Sequence, residues 1–280
     1  MTTIPTVTLQ NGTVMPQLGL GVYQAQDGDQ VEQAVLAAID AGYRSIDTAS
    51  LYRNETGVGN AIKKASVPRE ELFVTTKLWN ADQGYDSTLK AFDESLSKLG
   101  LDYIDLYLIH WPVPEKDLYV DTWKALEKLY KDGKVKAIGV SNFFPEHLER
   151  LKHETDIFPV INQVELHPSL QQRNITEYCE ANNIAVEAWS PIGGPGSEDL
   201  KHPIIADLSE RYNKSPAQIV LRWHIQHGRV VIPKSVHAER IQENADIFDF
   251  ELSADDIAAI DAMDQGEEGR IGPHPLHLNS

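Results

Sequence analysis

The chain has one cysteine, Cys179, among 280 residues. No disulfide can form within it, and no cysteine-based metal site is possible. Cys179 falls in an expected helix, residues 175–181, and reads as a small core residue. No run approaches the ~20 apolar residues that a membrane-crossing helix needs. The opening residues, MTTIPTVTLQNG, lack a basic stretch followed by an apolar one, so no secretory signal is expected. No Gly/Ser-rich linker divides the sequence. Basic residues are few: 25 Lys and Arg stand against 42 Asp and Glu, a formal charge of −17. That balance argues against nucleic acid or an anionic membrane as partner. It leaves a phosphorylated small molecule open, because a local basic pocket can oppose the global field. These absences predict a cytoplasmic protein with a single domain over residues 1–280.

What is present is alternation. Hydrophobic residues make up 41% of the chain, enough for a sizeable core. Residues 6–15 read as a hairpin: Val7 and Leu9 alternate with polar neighbours, Asn11-Gly12 suggests a type I′ turn, and Val14 returns. Then strand and helix patterns take turns. Expected strands lie at 18–23, 43–47, 72–76, 104–109, 135–140, 160–164, 185–189 and 230–232. Helical periodicity follows each, with Val31, Val35, Ala38 and Ile39 on one face, then Leu89, Phe92, Leu96 and Leu99, then Trp123, Leu126 and Tyr130. Ser215-Pro216 reads as N-cap and first helical residue, and Ser253 with Asp256 as a capping-box analogue. Eight strand–helix units predict a parallel sheet closed into a (β/α)8 barrel, a fold of about 250 residues. The hairpin would close the bottom, and an extra helix and a tail, 266–280, would follow. The tail reads as a loop, either over the barrel mouth or disordered.

In such a barrel, chemistry belongs at the carboxyl ends of the strands. Asp47, Lys77 and His110 end the second, third and fourth expected strands, and Tyr52 follows Asp47 by five residues. Each alone has a plain explanation: a helix cap, a solvated lysine, a packed histidine, a rim aromatic. Together they suggest one reactive site. A tyrosine with an ordinary pKa near ~10 is expected to be lowered by a neighbouring ammonium, here Lys77, which Asp47 would hold and keep charged. His110 would hydrogen-bond a substrate oxygen. A phenol that protonates a carbonyl oxygen needs a partner that gives hydride to the carbon. No side chain does that, so a nicotinamide cofactor is implied.

The stretch GYRSIDTASLYRNETGVG, residues 42–59, resembles the aldo-keto reductase signature. GKVKAIGVSNF at 133–143 and IPKSVHAERIQENADI at 232–247 resemble two further patterns of that family, as do HWP at 110 and NQVELHP at 162. The likeness runs from the hairpin to the last helix and is nearest to bacterial 2,5-diketo-D-gluconate reductases and related small carbonyl reductases. It implies Tyr52 as general acid with Asp47, Lys77 and His110, and an extended NADPH across the mouth, NADH being the weaker alternative. Asp47, Ser141, Asn142 and Gln163 would hold the nicotinamide and Trp189 would stack on it. Gly21 and Val22 are counted with these contacts. Ser190, Pro191 and Ile192 would follow the pyrophosphate. Lys234, Ser235, Val236, Arg240, Glu243 and Asn244 would take the adenosine end. The likeness also implies a monomer.

Lys234 and Ser235 support an anion site on their own, since they stand where the last strand opens onto its helix. Lys234 and Arg240 add two cations suited to a 2′-phosphate. Gly19 and Gly21 make only GxG, which is no dinucleotide fingerprint. Gly193-Gly194-Pro195-Gly196 reads as a flexible turn. Tyr23, Trp79, Trp111 and Phe143 are the substrate-contact candidates by position, beside Tyr52 and His110. No metal is expected: His274 and His277 have no carboxylate or cysteine partner in sequence. Two other readings stay open, a cofactor-binding relative with little turnover and a metal-dependent barrel hydrolase, although the latter lacks ligand clusters.

Overall fold

The computed structural model describes residues 3–195 and 197–278. It begins with an antiparallel pair, β1 (Thr6–Thr8) and β2 (Val14–Pro16). The repeating units follow: β3 (Leu20–Gly21) and α1 (Asp29–Asp40), β4 (Ser45–Asp47) and α2 (Glu55–Lys64), β5 (Phe73–Leu78) and α3 (Tyr85–Leu99), β6 (Ile104–Ile109) and α4 (Tyr119–Lys131). Next come β7 (Val135–Ser141) and α5 (Pro145–Glu154), β8 (Ile161–Glu165) and α6 (Arg173–Ala181), then β9 (Ala185–Trp189) with α7 (Pro203–Tyr212) and α8 (Pro216–Gln226). Finally β10 (Val230–Val231) leads to α9 (Ala238–Ala245) and the additional α10 (Ala254–Asp261).

Strands β3 to β10 form one eight-stranded sheet in sequence order, every neighbour parallel. Parallel bridges from Leu18 to Val231 and from Gly21 to Lys234 join its two edges, so the sheet is a closed ring. The first strand is shorter than the expected 18–23, and its two flanks bond different neighbours in the ring. The Gly19 amide bonds Val231 O across the seam, and the Val22 amide bonds Asp47 O. The two glycines here serve closure: a Cβ on Gly19 would meet the Ser45 hydroxyl at 2.9 Å, and one on Gly21 would meet Ile232 O at 2.8 Å.

The hairpin turn differs from the expected type I′. Only Gly12 has left-handed φ, at 85°, while Asn11 does not. The Leu9 amide bonds Thr13 O and the Gly12 amide bonds Leu9 O, each at 2.8 Å, the pattern of a three-residue loop with one left-handed position. Asn11 instead uses its side chain, accepting from the Thr13 amide and donating to Lys136 O. This wider loop pushes Leu9 and Met15 into the barrel floor, where they pack with Phe73, Leu106, Leu108 and Val230. Burying each is worth about 1.5–3 kcal/mol.

The helices carry the expected stripes. Val31, Val35, Ala38 and Ile39 of α1 are buried, as are Phe92 and Leu99 of α3 and Trp123 and Leu126 of α4. Ser215 caps α8 with the reciprocal bonds of a capping box to Gln218. Ser253 caps α10 by accepting from the Asp256 amide, whose carboxylate takes the Ser253 hydroxyl rather than its amide. A cleft of about 890 Å³ opens at the floor end beside the hairpin, lined by Ile4, Thr13, Arg44, Glu71, Asp105 and Lys136 among others. Its cations are already engaged: Arg44 faces Glu71 at 3.7 Å and Lys136 faces Asp105 at 3.0 Å. That end of a barrel serves stability. Among the described residues no helix is long and apolar enough to cross a membrane.

A sharp packing constraint between helices is Gly59 on α2, where a Cβ would lie 2.1 Å from the backbone oxygen of Leu99 at the end of α3. Gly59→Ala gains about 1 kcal/mol of helix propensity. It must also push two helices apart, at about 1–3 kcal/mol. Chemical denaturation is expected to show a net loss of up to about 2 kcal/mol, and a midpoint raised by the full helix-propensity gain would contradict this packing.

Candidate active site

Asp47 is the last residue of β4, Lys77 the next to last of β5, and His110 directly follows β6. Tyr52 ends a single 3-10 turn, Ser50–Tyr52. That turn is tied down from both sides. The Ser50 hydroxyl donates to Lys77 O, and the buried Asn54 amide donates to Val22 O and Ala25 O while accepting from Thr48 Oγ1. The four side chains therefore meet. Lys77 Nζ lies 2.5 Å from Asp47 Oδ1, 3.1 Å from Thr48 O and 3.3 Å from Tyr52 Oη. An ammonium has three N–H donors, and these contacts occupy all of them. The Tyr52 ring stands 5.8 Å from the His110 ring and 5.0 Å from the Tyr23 ring.

Lys77 is wholly buried and Asp47 nearly so. Burial disfavours the ammonium, but Asp47 and Tyr52 outweigh it and hold Lys77 above its ordinary pKa. The expectation that Lys77 lowers Tyr52 holds for the sign of its influence but not for the net shift. Burial pushes the phenol up, Lys77 opposes, and Asp47 adds to the rise, so Tyr52 sits above the ordinary tyrosine value. The main reason is burial; Asp47, at the shortest contact of Lys77, adds to it. Tyr52 is accordingly a protonated phenol at neutral pH. Burial and then Lys77 drive His110 well below the usual histidine range, leaving a neutral imidazole.

A second set forms one wall of the mouth. The Ser141 hydroxyl donates to Gln163 O at 2.7 Å. Asn142, in left-handed φ at 64°, donates to His110 O and accepts from Trp189 Nε1 at 2.9 Å. Asparagine tolerates that φ well. The Gln163 amide reaches across the barrel: its Nε2 lies 2.8 Å from Asp47 Oδ2 and 2.8 Å from Glu187 Oε2. Two carboxyl groups on one amide atom identify that atom as the nitrogen, so the carbonyl end is left for another partner. Asp47, Ser141, Asn142, Gln163 and Trp189 are thus one connected unit.

The other residues expected at a cofactor are spread along the rim. Gly21 lies at the ring seam beside Lys234, and the buried Val22 bonds Asp47 through its amide. Ser190, in left-handed φ, opens the turn after β9, Pro191 O accepts from His224, and Ile192 is half-buried. Gly196 of the glycine turn lies outside the described residues, as do Asn279 and Ser280 of the tail. Lys234 and Arg240 are exposed, and neither has an ion-pair partner among the described residues. Their charges are free to meet a phosphate. Ser235 and Asn244 are buried, Val236 is half-buried, and the exposed Glu243 is taken by the Ser215 hydroxyl.

Of the substrate candidates, Tyr23 is 53% exposed and Trp79 half-buried, its ring 5.4 Å from His110. Trp111 is mostly covered and lies edge-on to Trp189. Phe143 is a correction: it is fully buried, edge-on to Tyr119 and His147, and does not line the mouth. The amide and carbonyl of Phe143 bond the Asn162 side chain, which turns the ring into the α4–α5 layer. His274 does find a carboxylate, Glu267 at 3.5 Å, but no metal-ligand cluster of three occurs among the described residues.

Two groups have no role in the expectations above. Glu187 is a carboxyl within the otherwise apolar strand AVEAW, which is itself a signal. The second group starts from Glu165 and His167 of NQVELHP. Glu165 is wholly buried at the end of β8 and accepts the amides of Ile271 at 2.8 Å and Gly272 at 2.9 Å. His167 joins it to Asp199 with ring contacts of 3.0 and 2.8 Å. Burial disfavours the imidazolium, yet the two carboxylates outweigh it and raise His167. The tail is thereby strapped over the mouth, with Gly272 so close that a Cβ would lie 2.4 Å from the Trp189 ring. Only the chain fold reveals this, because the partners are 106 and 107 residues apart. Glu165→Gln places an amide against those N–H groups and leaves one without an acceptor, a loss of about 1–3 kcal/mol. Hydrogen exchange at residues 271 and 272 is expected to quicken about tenfold or more; unchanged protection would contradict the strap.

The sequence matches the family described as Aldo/keto reductase family over residues 9–265. It is 55% identical over 273 residues to the glyoxal reductase of Bacillus subtilis (strain 168), covering 98% of this chain and 97% of that one. It is 54% identical over 274 residues to methylglyoxal reductase DkgA of Escherichia coli (strain K12), covering 97% of each. The fold superposes with a TM-score of 0.93 on a crystal structure of a Gox0644 mutant in complex with NADPH, at 48% identity and 99% coverage of both chains. With its eight-stranded ring, the family match along nearly all its length and relatives more than half identical to it, the chain belongs to the aldo/keto reductase family.

Proposed function

We propose that this aldo/keto reductase reduces small aldehydes, ketones and dicarbonyls to alcohols, with Tyr52 as general acid and NADPH as the reductant. The observation that carries the reading is the buried Lys77 ammonium held between Asp47 at 2.5 Å and Tyr52 at 3.3 Å. The relatives named for glyoxal and methylglyoxal support the dicarbonyl class. Keto-sugar acids such as 2,5-diketo-D-gluconate fit the same chemistry.

Burial keeps the Tyr52 phenol protonated and ready to donate. As the proton leaves for the carbonyl oxygen, the phenolate forms beside Lys77, whose fixed positive charge is already in place and stabilises it. Asp47 holds that ammonium at one orientation. The neutral His110 offers an N–H to the same carbonyl oxygen without adding charge, so Tyr52 remains the proton source. The Asn142 and Gln163 amides suit a nicotinamide carboxamide, and the half-buried Trp189 face suits its ring. The free charges of Lys234 and Arg240 suit a 2′-phosphate, which favours NADPH over NADH. When bound, that cofactor supplies the hydride to the carbonyl carbon. The aromatic rim of Tyr23, Trp79 and Trp111 selects weakly among carbonyls, since one methylene is worth about 1–3 kcal/mol.

Tyr52→Phe is expected to keep NADPH affinity within about twofold and to lose about 10²–10⁴ in turnover of glyoxal. Near wild-type turnover in that variant would rule out Tyr52 as the acid. Lys234→Ala and Arg240→Ala are each expected to weaken NADPH by about tenfold, the loss of one charge-assisted bond, with little effect on NADH. Equal losses for the two cofactors in a fluorescence titration would contradict the phosphate assignment.

A further inference from the structure

Glu187 has no part in the chemistry described above, yet it lies in the same polar layer. It is the register partner of Gln163 on adjacent strands β8 and β9. It is wholly buried. Its Oε2 meets Gln163 Nε2 at 2.8 Å, and its Oε1 has no partner among the described residues. No cation makes an ion pair with it among the described residues. An ionised carboxylate has about four lone-pair sites to satisfy. A single amide donor is too little to hold such a charge in the interior, where an unpaired ion is far costlier than a neutral acid. Burial, and after it Asp47, push the Glu187 carboxyl up to about 8, with the Gln163 bond and Lys77 opposing.

We propose that Glu187 is a positioning residue for proton transfer: an uncharged acid that braces Gln163 against Asp47, and whose ionisation silences the site at alkaline pH. The proposal rests on the reading of Tyr52 as proton donor. The titratable groups that act on it are Asp47 on β4 and Lys77 on β5, with Tyr52 reached through Lys77 and neutral His110 beyond. With Glu187 neutral, the layer holds one cation and one carboxylate, and the phenolate that forms on proton donation is a second negative charge shared by Lys77. With Glu187 ionised, a third negative charge enters the same interior. Gln163 Nε2 bridges it directly to Asp47, so the two carboxylates repel at short range. The phenolate then forms less readily. The sign follows: the site is fully competent below the Glu187 titration and loses competence as pH rises through it.

The test is the single-turnover rate of NADPH oxidation with an aromatic aldehyde that cannot enolise, measured from pH 6 to 10. Single turnover separates the chemical step from product release. The wild-type rate is expected to fall up to about tenfold per unit above pH ~8, the behaviour of one titrating group. Glu187→Gln stays neutral and keeps an oxygen for Gln163, so its alkaline fall is expected at least about one unit higher. Glu187→Met is a second neutral variant of similar size should the first fold poorly, and the same displacement is expected. Profiles of wild type and either folded variant that superpose across the range would overturn the proposal. Wild-type turnover that survives Tyr52→Phe would instead defeat the reading beneath it.

Discussion

The site depends on one buried ion pair, Asp47 with Lys77. Two unit charges at ~4 Å are worth about 4 kcal/mol at the effective dielectric near a protein surface. Removing each from water costs several kcal/mol, so such a pair adds little net stability. What it supplies is orientation. Lys77 has no N–H to spare, and its ammonium cannot turn away from Tyr52. The pair is affordable because the barrel surrounds it with further polar partners: Thr48 O on one side, and the Gln163 amide on Asp47's other oxygen. Everything at the mouth is arranged about this fixed charge, including a histidine kept neutral by burial with its help and a phenol kept protonated by burial.

The two ends of the ring divide the work. At the floor, Leu9 and Met15 of the hairpin join Phe73, Leu106 and Leu108 in a dry plug. At the mouth, inward positions of β4, β5, β8 and β9 carry Asp47, Lys77, Gln163 and Glu187, which form a hydrogen-bonded polar layer. A polar layer in a core is costly unless its members satisfy one another. Here the apolar floor supplies the stability and the mouth holds the polar groups. The tail extends the same logic over the rim, where Glu165 replaces solvent as acceptor for two backbone amides.

Much of this was legible in the residues. Period-2 and period-3.6 patterns located the hairpin, the strands and the helix faces, because each element buries one face and the spacing of apolar residues records which. Asp47, Lys77 and His110 stood out as ionisable residues at strand ends. Other points escaped. Asn11-Gly12 suggested two left-handed residues, but Asn11 found better bonds through its side chain. Phe143 was expected on the rim by position along the chain, whereas Asn162 turned it inward. The direction of the Tyr52 shift escaped too, because it depends first on how deeply the closed ring buries the phenol and then on the balance of Lys77 against Asp47.

By itself the sequence determined the eight-unit alternation, the end of the barrel at which Asp47, Lys77 and His110 gather and the residue types available there. Those are local properties, written in short-range periodicity and in motifs a few residues long. Only the tertiary structure decided that Glu187 shares the Gln163 amide with Asp47, that Glu165 fastens a tail more than a hundred residues away, and that burial outweighs Lys77 at Tyr52. Desolvation and long-range hydrogen bonds depend on what the closed ring excludes and brings together, and no stretch of chain read alone contains that information.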